Sequence, residues 1–152
     1  MLDNAPLTVG VDHVGLAVKD LALARQFFCD CLGWRIVGEN QGYPASFVSD
    51  GNGIVTLWQV EDPETCVPFE RHRNLGLHHL ALKVVDHKAL DALNARVAAW
   101  PGNEIEFAPE RSGKGPKVHF MIREPGGIRI EFVCISPAGG WRRPGQSRTA
   151  TR

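Results

Sequence analysis

The chain has 152 residues, 43% hydrophobic and 22% charged, with 17 basic and 17 acidic side chains and a formal net charge of zero. That length suits one full core, or two half-size modules that share one. The charge balance argues against a nucleic-acid partner, and no apolar run approaches the roughly 20 residues of a membrane helix.

Residues 1–9 show no basic segment followed by an apolar one, so they read as a short extension without a signal peptide. Residues 10–18 alternate, with Val14, Leu16 and Val18 on one face and His13, Gly15 and Ala17 on the other. That is the period of a strand. Asp20 is placed to cap a helix running to about Leu32, with Leu23, Phe27 and Phe28 on its apolar stripe and Gly33 at its end. Strands follow over about 34–39, 45–49 and 53–60, the last two joined by the turn Asp50-Gly51-Asn52-Gly53. Residues 61–76 are polar and contain proline, as a connector would.

The order then repeats. A strand is expected over 77–85. Asp86 caps a helix carrying Leu90, Leu93 and Val97 on one stripe, closed by Pro101-Gly102. A short strand, 104–107, leads to a basic, glycine-rich loop from Arg111 to Lys117. Strands at about 117–123 and 127–135 form a hairpin over Glu124-Pro125-Gly126-Gly127. The tail, 137–152, carries Arg142, Arg143, Arg148 and Arg152 among small polar residues and reads as a flexible, solubilising end. The four cysteines, Cys29, Cys31, Cys66 and Cys134, form no C-x-x-C pair, and reduced thiols in a cytoplasmic protein are expected.

An offset of 66 residues carries His13 onto His79, Asp20 onto Asp86 and Trp34 onto Trp100. The chain therefore reads as a duplicated βαβββ module, 10–60 and 77–136, of α+β class. A curved mixed sheet around a central cavity is expected. Strand histidines that meet across a pseudo-two-fold axis are one way to build a metal site.

Three segments together resemble the vicinal oxygen chelate superfamily, which includes glyoxalase I, methylmalonyl-CoA epimerase, fosfomycin-resistance transferases, extradiol dioxygenases and bleomycin-resistance proteins. They are Asp12-His13-Val14-Gly15-Leu16-Ala17-Val18, His79-Leu80-Ala81-Leu82, and Arg123-Glu124-Pro125-Gly126-Gly127-Ile128-Arg129-Ile130-Glu131-Phe132. The resemblance covers residues 10–136. It implies a divalent metal that chelates two adjacent substrate oxygens, with ligands at His13, His79 and Glu131. Strand parity agrees, since each lies opposite the apolar side of its strand. Two imidazoles and a carboxylate suit Fe, Mn, Ni, Co or Zn, one ion per site.

The family's fourth position, a glutamate or glutamine in glyoxalase I and the epimerase, matches Thr56 here. A hydroxyl is a weak ligand and a poor base, which tilts the reading towards a three-ligand, dioxygenase- or transferase-like enzyme and away from a lyase or isomerase. Gln59 does not substitute, because its parity matches Val55 and Leu57. On the strand 117–123, Lys117, His119, Met121 and Arg123 lie opposite Val118, Phe120 and Ile122. His119 is the candidate acid or base beside Glu131. Trp58, Thr56, Arg111, Lys117, Met121 and Arg129 are candidate substrate contacts for a small, oxygen-rich, anionic molecule, with the Arg111–Lys117 loop gripping its anionic group. By parity, His78 reads as a structural histidine on the packing side. A homodimer with no nucleic-acid or membrane partner is expected. The alternative function is non-catalytic sequestration of a small molecule, as in bleomycin-resistance proteins.

Overall fold

In a computed structural model of the protein, residues 5–135 are described. The first four residues of the expected extension and the basic tail lie outside the described residues. Two compact modules divide between Cys66 and Val67, inside the segment expected as a connector.

In the first module, β1 (His13–Val18), α1 (Leu21–Gln26), β2 (Arg35–Asn40), β3 (Ala45–Ser49) and β4 (Ile54–Gln59) follow in sequence. The strands form one sheet in the order β1-β4-β3-β2, with β1 parallel to β4 and the other pairs antiparallel. Asp20 caps α1 by accepting the Leu23 amide at 2.9 Å. The expected regular helix to Leu32 instead widens after Gln26 into a π-helical turn, Phe27–Cys31, which buries Phe27, Phe28 and Cys31. Gly33, at φ 78°, then turns the chain into β2. Leu16, Val18, Val48, Val55 and Leu57 are buried in the module's core.

The second module repeats this arrangement. It consists of β5 (Leu80–Lys83), α2 (His87–Ala98), β6 (Glu104–Arg111), β7 (Lys117–Arg123) and β8 (Arg129–Ile135), with sheet order β5-β8-β7-β6 and β5 parallel to β8. Asp86 caps α2 through the Ala89 amide at 2.8 Å, the position reached from Leu23 by the repeat offset. The fold class is thus α+β, with one four-stranded mixed sheet in each module. Val118, Phe120, Ile122, Ile130 and Phe132 are buried, and the rings of Phe120 and Phe132 stack at 4.9 Å. Among the described residues, no helix is long and apolar enough to cross a membrane.

Three expectations are corrected here. β5 begins at Leu80, not 77, so His79 immediately precedes the strand. β6 runs to Arg111 rather than stopping at 107, because register shifts between Ile105 and Glu110 let an edge strand carry Pro109. The basic loop is therefore only Ser112–Pro116, closed by the Ser112 amide donating to the Lys117 carbonyl. Finally, His78 is exposed rather than packed, and its partners are polar.

The β7–β8 turn explains its own sequence. The Glu124 carboxylate accepts the amides of Gly126 and Ile128 at 2.9 and 2.8 Å. Burial still pushes its carboxyl above the usual carboxylate range, outweighing the two donors that favour the anion. A Cβ at residue 126 would lie 2.8 Å from Glu124 Oε1, an atom already held in place. Gly126→Ala should therefore destabilise the protein by roughly 1–3 kcal/mol, read as a lower urea midpoint. An unchanged midpoint would show that this turn yields freely.

Candidate functional site

β8 lies between β5 and β7, and Ile130, Phe132 and Cys134 are buried beneath α2. Alternation along the strand then sends Arg129 and Glu131 to the opposite face. Glu131 registers with Ala81 on β5 and Met121 on β7. Its side chain is only 13% exposed and lies between two imidazoles. His79 Nε2 is 3.1 Å from Oε2, and His119 Nδ1 is 2.5 Å from Oε1. The ring of His119 also rests 5.0 Å from that of Phe107.

The hydrogen bonds assign the roles of the ring nitrogens. Arg129 Nη1, which only donates, lies 3.2 Å from His78 Nδ1, so that nitrogen accepts. His79 Nδ1, 2.8 Å from the same atom, must then be the donor. In the neutral ring this leaves the lone pair of His79 on Nε2, aimed at Glu131. Likewise His119 donates from Nδ1 to Glu131, which leaves its Nε2 as the basic nitrogen.

Two lone-pair atoms 3.1 Å apart fit a shared cation. Donors about 2.1 Å from one metal and at right angles to each other are about 3.0 Å apart. The remaining His79 nitrogen is held by an outer partner, as metal-binding histidines require. Among the described residues, no group of three or more His, Cys, Asp or Glu side chains forms a complete metal cage. Within the second module, His79 and Glu131 could supply two donors to a metal, short of a full set.

A second cluster adjoins the first. Arg129 donates from Nε and Nη2 to the two oxygens of Glu106, at 2.8 and 2.7 Å, and from Nη1 to the His78 carbonyl at 3.1 Å. The Arg129 hydrogen bonds hold the Glu106 carboxyl below the usual carboxylate range, and Glu106 in turn raises the Arg129 guanidinium. Desolvation, with the Arg129 charge adding to it, pushes His78 down. Neither Glu106 nor the role of His78 was read from sequence. The signals were faint: a carboxylate in a segment whose strand is irregular, and a second histidine beside the repeated one.

In the first module His13 is half-exposed, and its Nδ1 lies 2.7 Å from Asp12 Oδ2. His13, Gly15 and Thr56 share one face of the sheet, since His13 registers with Ile54 and Gly15 with Thr56. Thr56 is buried, and its hydroxyl accepts the Trp58 indole N–H at 2.9 Å. Tyr43 and Phe47 lie against the Trp58 ring. Gln59 points to the other side, where its Oε1 accepts the Leu21 amide at the start of α1. The register gives one further equivalence. Gly15 pairs with Thr56, Ala81 pairs with Glu131, and the repeat offset carries Gly15 onto Ala81. Thr56 is therefore the first module's counterpart of Glu131.

Of the other expected substrate contacts, Met121 lies buried beside Glu131, and Arg129 lies on the same face. Lys117 is exposed at the far end of that face, opposite Ile135. Arg111 registers with Val118, the helix-side face, and the structure does not bring it to the Glu131 cluster.

Residues 10–132 match the family model of the Glyoxalase/Bleomycin resistance protein/Dioxygenase superfamily. The 2-epi-5-epi-valiolone epimerase of Actinomyces sp. is 27% identical over 171 aligned positions, covering 97% of this chain and 88% of that protein. Among solved structures, a glyoxylase/bleomycin resistance protein/dioxygenase domain from Frankia sp. superposes with a TM-score of 0.73 at 24% identity, covering 88% of this chain and 96% of that one. Lactoylglutathione lyase from Agrobacterium tumefaciens superposes with a TM-score of 0.64 at 22% identity, covering 84% and 94%. At these identities the structural likenesses speak to the fold.

The Glu106–Arg129 pair makes a pH-dependent contribution to stability. The folded pKa of Glu106 lies below its unfolded value, so the contribution is complete above about 4.3, the ordinary glutamate value, and is lost as pH falls through the depressed one. Glu106→Gln should lower the urea midpoint at neutral pH, and the gap from the parent should close in acid. A gap that stays constant with pH would show that the pair's charge contributes nothing.

Proposed function

The chain belongs to the glyoxalase/bleomycin resistance protein/dioxygenase superfamily, and from that membership we propose that it is a metal-dependent enzyme that moves a proton on a small, oxygen-rich substrate, as an epimerase does. The observation that carries this reading is the 2.5 Å bond from His119 Nδ1 to Glu131. It fixes an imidazole whose free Nε2 can take a proton and return it. The Actinomyces relative, an epimerase matched over 97% of this chain, points the same way. This shifts the preference away from the dioxygenase- or transferase-like chemistry that Thr56 suggested.

His79 and Glu131 would hold the metal, with His13 as the third ligand that the family resemblance implies, and the protein would act as a homodimer. Bound there, a divalent cation such as Mn, Fe, Co, Ni or Zn would polarise a substrate carbonyl as a Lewis acid. His119 Nε2 would remove the proton from the adjacent carbon as the electron pair moves onto the carbonyl oxygen. Delivery of a proton from solvent to the opposite face would invert the centre, and the proton held on His119 Nε2 would pass to water. Glu131 keeps the imidazole oriented throughout, and the apolar Phe107 ring restricts its rotation. Trp58, its indole anchored on Thr56, would offer a flat wall for the substrate.

A second reading, dioxygen-dependent cleavage, is favoured by one observation. Thr56, the counterpart of Glu131, supplies only a hydroxyl already engaged by Trp58. The tests separate the readings. Protein stripped with chelator should rebind Mn(II) or Ni(II), and His13→Ala, His79→Ala or Glu131→Ala should each weaken binding on the order of 100-fold. Small polyhydroxylated ketones should exchange a carbon-bound proton for solvent deuterium. His119→Ala should slow that exchange by roughly 10²–10⁴-fold while metal binding persists. Oxygen uptake with Fe(II) and no exchange would favour the second reading. Tight ligand binding without any turnover would make the protein a sequestering one.

A further inference from the structure

On the Glu131 face of the second module, a cavity of about 470 Å³ is lined by Arg71, Arg123 and Arg129, by Glu104 and Glu106, and by Ile105 and Phe107. That volume is in the range of small-molecule sites. Three guanidinium groups converge there on one carboxylate. Arg129 alone satisfies Glu106, with two parallel hydrogen bonds. Arg123 reaches Glu106 only through Nε, at 3.1 Å. Arg71 Nη1 is 3.6 Å from Glu106 Oε1, too far for a hydrogen bond. Both arginines thus keep donor groups available at the cavity, and each is about one-third exposed, at 30% and 31%. The nearby acids are engaged elsewhere or differently: Glu106 is paired with Arg129, half-buried Glu70 accepts the His72 amide while lying within the field of Arg71 and Arg123, and Glu104, opposite Arg123 in the β6–β7 register, is exposed to solvent.

The cavity adjoins the candidate site. Arg129 and Glu131 are alternate residues on one face of β8, about 7 Å apart along the strand. Phe107 lines the cavity and also touches His119. We propose that this cavity is an anion subsite, and that the substrate carries a phosphate or carboxylate group held by Arg71 and Arg123 while its carbon body crosses Phe107 towards His119. This rests on the functional reading above for the position of the reacting centre, and it replaces the Arg111–Lys117 loop as the anionic grip. Planar guanidinium forks suit either oxyanion and place it at a fixed distance from the base.

The test uses the full chain freed of metal by chelator, so a failure of metal binding or turnover leaves it untouched. Inorganic phosphate and acetate are titrated by calorimetry, each against chloride at equal ionic strength. Binding of either anion, weakened at least about tenfold in the Arg71→Gln/Arg123→Gln double variant, is the expected result. Tighter phosphate marks a phosphorylated substrate, and tighter acetate a carboxylated one. Absence of binding by both anions, or binding unchanged in the double variant, overturns the subsite. Should that variant fold poorly, arginine side-chain NMR signals of the parent chain decide. Phosphate- or acetate-dependent shifts at Arg71 and Arg123 support the proposal, and shifts confined to other arginines overturn it.

Discussion

The second module depends on the alternation of β8. Ile130 and Phe132 bury one side of the strand, and Phe132 stacks on Phe120 of β7. Removing such a ring costs about 3–5 kcal/mol, so the strand cannot slip by one residue without inverting that core. With the apolar side pinned, Arg129 and Glu131 have only one face to occupy. β7 obeys the same rule, with Val118 and Phe120 fully buried and His119 on the Glu131 side. The chemistry of the site is therefore a consequence of hydrophobic packing on the opposite face of the sheet.

That face concentrates groups which a purely stable protein would avoid. Glu131 is largely withdrawn from water, and it is hydrogen-bonded by His119, while the lone pair of His79 Nε2 also faces it. Arg129 is 7% exposed and would be costly without Glu106. The Glu106–Arg129 pair closes this account and has a second effect. By donating to the His78 carbonyl and ring, Arg129 fixes the residue before His79, and His78 then fixes the His79 ring. Orientation passes from a salt bridge to a backbone carbonyl to an imidazole, the kind of outer support that metal-binding histidines use.

Much of this was legible in the sequence, where the governing physics is local. The period of two in Ile128–Cys134 and Lys117–Arg123 is enough to set the faces, and Asp20 and Asp86 sit three residues before the amides they cap. What escaped is non-local. β6 extends past the expected end at 107 through Pro109, which the edge position and register shifts of that strand accommodate. The π-helical turn after Gln26 follows from burying both Phe27 and Phe28, a packing demand that helical periodicity does not express. His78 was misread because parity was extended into residues that precede the strand, where alternation no longer holds. The roles of His13, His79, Glu131 and His119 remain proposals, because alternation gives direction and not chemistry.

The duplication sharpens that last point. Both modules keep the capping aspartate, the sheet order and the parallel pairing of first and last strands, so the fold has been conserved between the halves. At the equivalent central position they diverge, with Glu131 in one and Thr56 in the other. In the second module the carboxylate is surrounded by imidazoles that can share its charge or a proton. In the first, the hydroxyl is buried and engaged by the Trp58 indole, with aromatic rings around it. The Thr56 hydroxyl is satisfied by an indole N–H, whereas Glu131 is hydrogen-bonded to an imidazole, a side chain able to carry a proton. On the proposed function, the groups that would exchange protons all lie in the second module, and the first module would contribute the His13 imidazole and its aromatic wall. That division would favour a mechanism with one dominant base over one that exchanges protons between two equivalent carboxylates.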